Sequence, residues 1–410
     1  MGLRVLASVC YIGLIALMTK LMGVSRATEI VYLFAVCFVS SNLGRFGADQ
    51  QIAKSAKYFR NGFGYKAGSL VATHAAFSVT TVPLVALLIH QLARPAITRE
   101  ALDLSAGLSM LSIGLSSAGL ALAQTAAASW QASSYPSVSV IVFPLFTYLA
   151  LALFCLAMPN SNLDTYALAF VIPGLIGLLA LALKGNIRFM PVRFQLLRNN
   201  GYFYIMGLSF YITAWLPFVY LPSLLSAANV VTLNLAVRLS SIQSLPSNAI
   251  AGYLMPQFAM NAHNGEYHKI EKTMQQVIGI TLIFQILYIA GLSLLYVYFA
   301  KMSGLNVPGL LEIIVLLSLG QMASGLTGPV GPALLMLGQQ KAMATLSFLF
   351  CTTGAALGYI VTQRYGAIGF AGVTALFMGL QNITYIWLLY TKLGLNPYRL
   401  KKKHKPKKRV

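Results

Sequence analysis

Apolar runs of about 20 residues recur along the whole chain, and they constrain its fold more than any other feature. We count twelve such runs, with approximate limits 3–22, 27–47, 66–90, 103–128, 137–158, 164–183, 201–224, 228–258, 273–300, 309–336, 342–362 and 366–391. About 20 apolar residues is the length that an α-helix needs to cross a bilayer. The pattern therefore predicts an all-α polytopic membrane protein with twelve transmembrane helices.

The composition supports a membrane environment. Of the 410 residues, 58% are hydrophobic and only 9% are charged, whereas soluble domains are about 25% charged. These values exclude a soluble enzyme, a disordered protein and a disulfide-rich secreted module. The four cysteines lie inside the apolar runs without CxxC spacing, and no Walker, HExxH or catalytic-triad pattern is present. We therefore expect no metal, no cofactor and no enzymatic activity.

The basic residues set the expected orientation. The chain has 29 Lys and Arg but only 8 Asp and Glu. With both termini in the cytoplasm, 21 of the 29 basic residues fall at cytoplasmic ends of the runs, as the positive-inside rule requires. They are scattered between apolar runs, which argues against nucleic acid as a partner. The basic tail 393–410 is expected to be cytoplasmic, where it can meet anionic membrane lipids.

A basic loop at about 184–200 divides the runs into six and six. We expect an N-terminal six-helix bundle over 1–190, a cytoplasmic linker over 191–200 and a C-terminal six-helix bundle over 201–392. A shift of 201 positions superimposes four identical residues: Ala27, Ala35, Val36 and Ser40 fall on Ala228, Ala236, Val237 and Ser241. This weak repeat predicts pseudo-two-fold symmetry about an axis along the membrane normal.

Arg238 is the most informative polar residue, because it is the only formal charge between Arg198 and Glu266. An arginine at membrane depth must face water, an anion or a carboxylate. One interpretation is a cation that binds anions in a central cavity. The other is a side chain that snorkels to the interface or pairs with a distant carboxylate such as Glu312 or Asp49.

Other charges lie near the inner end of the second run. Arg45 and Asp49 are four residues apart, a spacing that permits a local ion pair. Arg45 is also a candidate second ligand for an anion, and Asp49 is the first candidate for ion coupling. Lys54 and Lys57 follow; they are either stop-transfer anchors or a cytoplasmic access patch for an anionic headgroup.

Neutral polar residues also occur within the runs. Ser105, Ser109, Ser112 and Ser116 form a stripe at helical spacing, which indicates either close helix packing or a hydroxyl-lined wall. Amides and hydroxyls suit sugars, which need many donors and acceptors but no counter-charge. The candidate sugar-binding or cavity-wall residues are Asn234, Ser241, Gln243, Ser112, Ser116, Gln124, Gln321 and Gln381.

Residues 235–272 read LAVRLSSIQSLPSNAIAGYLMPQFAMNAHNGEYHKIEK and contain Arg238. This stretch, more strongly than the others, resembles the Wzx-type polysaccharide flippases of the multidrug/oligosaccharidyl-lipid/polysaccharide exporter superfamily. Two others are GQMASGLTGPVGPALLMLGQQKA at 320–342 and RYGAIGFAGVTAL at 364–376, and LGRFGADQQIAK at 43–54 is a looser match. The resemblance covers nearly the whole chain and implies two six-helix bundles around a cationic central cavity.

The resemblance also implies a function. It implies a flippase that moves an undecaprenyl-diphosphate-linked oligosaccharide across the bacterial inner membrane, with Arg238 and Arg45 holding the diphosphate. A monomer is the family expectation, and polysaccharide polymerase and chain-length proteins are candidate partners. Three alternatives remain at this point: a multidrug or organic-ion exporter of the same superfamily, a membrane polymerase or ligase of lipid-linked glycans, and a non-transporting scaffold.

Overall fold

The computed structural model describes residues 2–45, 52, 65–93, 110–132, 138–139, 141–159, 163–184, 201–303 and 309–398. Within these ranges every regular element is helical. The α-helices are α1 Gly2–Gly44, α2 Tyr65–Ala93, α3 Met110–Ala132, α4 Phe146–Ala157, α5 Leu163–Lys184, α6 Gly201–Ala214, α7 Pro217–Tyr220, α8 Ala227–Ser241, α9 Leu245–His263, α10 Tyr267–Ser303, α11 Leu310–Thr327, α12 Val330–Met336 and α13 Gln340–Leu393. The all-α prediction is therefore confirmed for the described residues.

Two of these helices are much longer than a bilayer is thick. Helix α1 has 43 residues and α13 has 54, which correspond to about 65 and 80 Å against about 30 Å of hydrocarbon. Each contains one glycine with non-helical backbone angles, Gly23 in α1 and Gly366 in α13. The sequence predicted chain reversals at 22–27 and 362–366, and the two glycines lie at these positions.

By length and hydropathy, six helices in the described ranges could cross a membrane, or seven if the bent pair Tyr204–Ala214 and Pro217–Ser223 counts as one. This number is smaller than twelve partly because α1 and α13 each combine two predicted spans. Other predicted spans are divided into shorter pieces: α8 and α9 are separated by a 3₁₀ turn at Ile242–Ser244, and α11 and α12 by Gly328.

The surface and the interior have the polarity expected in lipid. Leu84, Leu88 and Leu92 lie on one face of α2 and are 60–72% exposed. Serine and threonine side chains are instead buried between helices, and Ser116 of α3 has no exposed surface. Small side chains at helix contacts are typical of membrane bundles. At Gly119 of α3, an added Cβ would lie 2.7 Å from the carbonyl oxygen of Phe170 in α5.

The two halves of the chain meet along α1 and α8. The Thr28 hydroxyl of α1 donates a hydrogen bond to the carbonyl oxygen of Ala227, at 3.1 Å. Further along the same two helices, Tyr11 bonds to Asn234. The two helices in contact, α1 and α8, include the positions related by the 201-residue shift. One continuous hydrophobic core contains residues from both halves.

Candidate binding site between the two halves

Arg238 lies in α8 with its side chain directed at the seam between the halves. Its guanidinium carbon is 3.7 Å from the ring centroid of Trp215, which follows α6, and 5.3 Å from that of Tyr11 in α1. Trp215 and Tyr11 are both buried. Aromatic faces at these distances attract a cation through their quadrupoles, so the charge is held by rings from both halves.

Three donor nitrogens at this site are buried without a hydrogen-bond partner in the described part of the chain. They are Nε and Nη2 of Arg238 and Nδ2 of Asn234. Asn234 lies one turn before Arg238 in α8 and uses its Oδ1 to accept a hydrogen bond of 3.0 Å from the Tyr11 hydroxyl. The site therefore offers one positive charge and three unsatisfied N–H groups, which is the chemistry that an anionic or oxygen-rich ligand needs.

The surroundings of Arg238 are aromatic. Phe38 of α1 stacks on Trp215 with centroids 4.1 Å apart and ring planes at 11°. Tyr11 makes edge contacts with Phe34 and Tyr148, at 5.7 and 5.0 Å between centroids. The resemblance implied a central cavity at this level. In the described residues aromatic rings pack around the cation, and Arg238 itself is half-buried. The central cavity stays a prediction.

None of the carboxylates whose side chains the structure describes is paired with Arg238. Glu312, one of the two partners considered from the sequence, lies in the first turn of α11 and is exposed. Asp49, the other, lies outside the described residues. The buried Glu29 pairs with Arg26 at 3.6 Å on its own helix. Among the described residues, rings and no counter-ion thus surround the guanidinium.

Arg45 lies in a different polar cluster, inside the first half of the chain. Its side chain is 2% exposed, and its Nη1 donates a 2.7 Å hydrogen bond to Oε1 of Gln124 in α3. The Ser41 hydroxyl donates to the same oxygen. The structure therefore brings Arg45 together with Gln124, and it gives no contact between Arg45 and Arg238.

The other candidate residues are distributed over both halves. Ser241 donates to the carbonyl oxygen of Arg238 in its own helix, at 2.8 Å. The Gln243 side chain is fully buried and donates to Ser318 of α11 at 2.6 Å. Ser112 and Ser116 are buried in α3, and the backbone carbonyl of Gln321 accepts a hydrogen bond from Gln285.

Gln381 lines a small cavity of about 30 Å³ between α6–α7 and α13, inside the second half of the chain. Thr213, Cys351 and Thr374 line it too, and none of its lining residues is charged.

Lys54, Lys57 and Asp49 lie outside the described residues, so their predicted roles stay predictions. Within the described ranges no three His, Cys, Asp or Glu side chains come together as they would around a metal ion.

The sequence reasoning did not identify Tyr11 or Trp215 as site residues. Both are aromatic residues in apolar runs, where most such residues simply fill a core. Trp215 offers one local signal, because it stands two residues before Pro217, where the helix breaks between α6 and α7. Nothing local connects residue 11 to residue 238.

The chain matches no protein-family model and no curated protein, but solved structures resemble it over most of its length. One is a multidrug resistance MATE family transporter of the MOP superfamily in an inward-facing conformation, with a TM-score of 0.67, 14% identity and 93% of each chain covered. A second is the lipid II flippase MurJ in an inward closed conformation, with a TM-score of 0.67 and 12% identity, covering 95% of this chain and 86% of that one.

A third is a MOP superfamily transporter from Pyrococcus furiosus, whose description notes a reversed polarity of its binding pocket. Its TM-score is 0.65 at 12% identity, and the match covers 96% of this chain and 93% of that one. The chain therefore has the fold of the MOP-superfamily transporters and is a multi-pass membrane protein.

Proposed function

We propose that this chain is a flippase for an undecaprenyl-diphosphate-linked oligosaccharide, which it moves from the inner to the outer leaflet of the bacterial cytoplasmic membrane for surface polysaccharide assembly. The polysaccharide would be an O-antigen, a capsule or an exopolysaccharide. The observation that carries the proposal is the half-buried Arg238 side chain between the two halves beside Asn234. Its Nε and Nη2 atoms are buried without acceptors, and it has no carboxylate partner among the described residues.

The proposal includes a topology. The chain would cross the membrane twelve times, in six-helix bundles over 1–190 and 201–392, with both termini in the cytoplasm. The long helices α1 and α13 support this count, because each is broken by a glycine near its predicted reversal. Residues 191–200 would connect the bundles on the cytoplasmic side.

The chemistry of the cargo matches the site. A diphosphate cannot cross hydrocarbon unaided, because burying its charge without partners costs far more than weak contacts return. A guanidinium can donate two parallel hydrogen bonds to a phosphate, and the Nε and Nη2 groups of Arg238 are both without acceptors. The amide nitrogen of Asn234 can donate to the same phosphate or to a sugar hydroxyl, and the lipid tail would stay in the bilayer.

Transport would proceed by alternating access, with the two halves rocking about the site. In this structure hydrogen bonds join α1 and α8 at Tyr11–Asn234 and at Thr28–Ala227. Opening it toward the cytoplasm would admit the headgroup, and opening it outward would release it. A membrane potential, negative inside, favours outward movement of each negative charge by about 2.3 kcal/mol per 100 mV.

The multidrug alternative predicts a different site. A cavity for organic cations is best served by carboxylates, and the central charge here is a guanidinium, which repels cations. A membrane polymerase or ligase would lengthen or transfer glycan chains covalently. Export of cationic dyes, or glycan elongation by the purified protein, would favour these alternatives over the flippase.

Complementation of surface polysaccharide tests the proposal. We expect Arg238→Ala and Arg238→Gln to abolish polysaccharide export in a strain that lacks the chromosomal copy, because neither residue offers a charge to a phosphate. Arg364→Gln is the matched control, since Arg364 is exposed in α13 and should tolerate the change. Full export by both Arg238 variants at normal protein levels would contradict the proposal.

A further inference from the structure

We propose that Trp215 is a positioning residue that holds the Arg238 guanidinium on its ring face when no substrate is bound, and that an anionic headgroup competes with the indole for this cation. This inference rests on the proposed function, since it concerns the same site. It adds a specific role for Trp215: substrate binding would exchange an aromatic partner of Arg238 for a phosphate.

The geometry places Trp215 between two groups. Phe38 covers one face of the indole in a nearly parallel stack, with the ring centroids 4.1 Å apart. The guanidinium carbon of Arg238 is 3.7 Å from the same ring. Because one face is occupied by Phe38, Arg238 must lie on the other. The three side chains form a layered stack of Phe38, Trp215 and Arg238.

This stack connects the two halves of the chain. Phe38 belongs to α1, whereas Trp215 and Arg238 belong to the second half. Tyr11, also from α1, lies beside the cation, with its ring centroid 5.3 Å from the guanidinium carbon. The charge of Arg238 therefore attracts rings of both halves, and moving the guanidinium would weaken attraction across the seam.

A phosphate would compete well for this cation. A cation over a ring face has an electrostatic partner but no acceptor for its in-plane N–H groups. A phosphate supplies both a full negative charge and oxygen acceptors in the plane of the guanidinium. While the guanidinium lies against the Trp215 ring, Nε and Nη2 of Arg238 lack acceptors. The ligand would satisfy these groups as it draws the guanidinium away from Trp215.

Competition makes a prediction that a purely structural role does not. Replacing the Trp215 indole should strengthen anion binding, because the ligand then no longer has to draw the guanidinium away from the ring. With farnesyl diphosphate as a soluble probe and the purified full-length protein, we expect Trp215→Leu to bind about five- to tenfold more tightly than the wild type. Trp215→Phe, which keeps a weaker ring, should fall between the two. Trp387→Leu is the control, since Trp387 is 62% exposed.

Fluorescence gives a second readout. The chain has three tryptophans, so Trp130→Phe with Trp387→Phe leaves Trp215 as the sole indole emitter. Farnesyl diphosphate should change the acrylamide quenching of this residue, because the guanidinium leaves one face of the ring. The same protein with Arg238→Gln should show no change on addition of the probe.

The outcomes separate this inference from the proposed function. If the wild type binds the probe, Arg238→Gln does not, and both Trp215 variants bind equally or more weakly, the competition is refuted while the anion site stands. If the wild type does not bind the probe, both are refuted. Where Trp215→Leu fails to fold in a thermal unfolding assay, Trp215→Phe decides by the direction of its change in affinity.

Discussion

Arg238 shows how a single residue can be stable in a closed seam and still be suited to bind a ligand. Its charge is balanced by the rings of Trp215 and Tyr11, but rings do not replace hydrogen-bond acceptors. Each buried N–H group without an acceptor costs about 1–3 kcal/mol. A ligand with phosphate oxygens would remove this cost, so the arrangement favours an occupied site over the closed one.

The Tyr11 hydroxyl should contribute measurably to the stability of the closed state. Tyr11→Phe keeps the ring but leaves the buried Oδ1 of Asn234 without its donor, which should destabilise the protein by about 1–3 kcal/mol. We expect a lower midpoint of thermal unfolding in detergent. Tyr365→Phe is the control, because Tyr365 is 68% exposed. Equal midpoints for both variants would show that the Tyr11–Asn234 bond contributes nothing.

The sequence identified the cation of the site but not its neighbours. Arg238 was recognisable because a lone charge in a long apolar run must face water, an anion or a carboxylate. Trp215 and Tyr11 were not, since their contact depends on how residues 11, 215 and 238 are packed in three dimensions. The hydrophobic effect that drives this packing is non-directional, so apolar periodicity alone could not select these rings.

At the scale of helices, the breaks carry as much information as the spans. Pro83 and Pro173 lie within α2 and α5, whereas Pro217 and Pro329 lie at breaks. The runs of apolar residues predicted the helices well because each backbone polar group in lipid must be bonded within its own segment. Run length could not show where a helix continues through a proline, as at Pro83, and where it is interrupted.

Gly366 provides a test of the break in α13. Its backbone angles of 61° and −149° belong to a region that only glycine populates readily, and other residues pay about 1–3 kcal/mol there. Gly366→Ala should therefore lower the thermal midpoint, although the space around it is open. Gly372→Ala is a close control, since this site in the same helix is also open and has no positive φ. A tolerated Gly366→Ala would show that the break is not needed.

At the scale of the whole molecule, function requires the seam between the halves to open and close. The contacts along it extend from Thr28 and Ala227 at one end, through Tyr11 and Asn234, to the Tyr204 hydroxyl, which donates to the carbonyl oxygen of Leu43 at 3.3 Å. The structure therefore describes a closed seam over much of the length of α1. Transport would have to break these contacts in turn.

A disulfide across the seam should stop transport. The Thr28 hydroxyl and the Ala227 carbonyl oxygen are 3.1 Å apart, so the two residues are neighbours across the seam, and Thr28→Cys with Ala227→Cys is the pair to oxidise. We expect oxidation to block polysaccharide export and reduction to restore it, while each single variant remains active under both conditions. Export that continues with the disulfide fully formed would show that this part of the seam does not open.

The most direct test of the central claim is transport by the purified protein in proteoliposomes. The measurement is the movement of a fluorescent undecaprenyl-diphosphate-linked oligosaccharide between leaflets, scored by its accessibility to a membrane-impermeant quencher. The account predicts movement with the wild type and with Arg364→Gln, and none above protein-free vesicles with Arg238→Gln. Movement at the wild-type rate by Arg238→Gln would contradict the claim that this guanidinium carries the anionic headgroup.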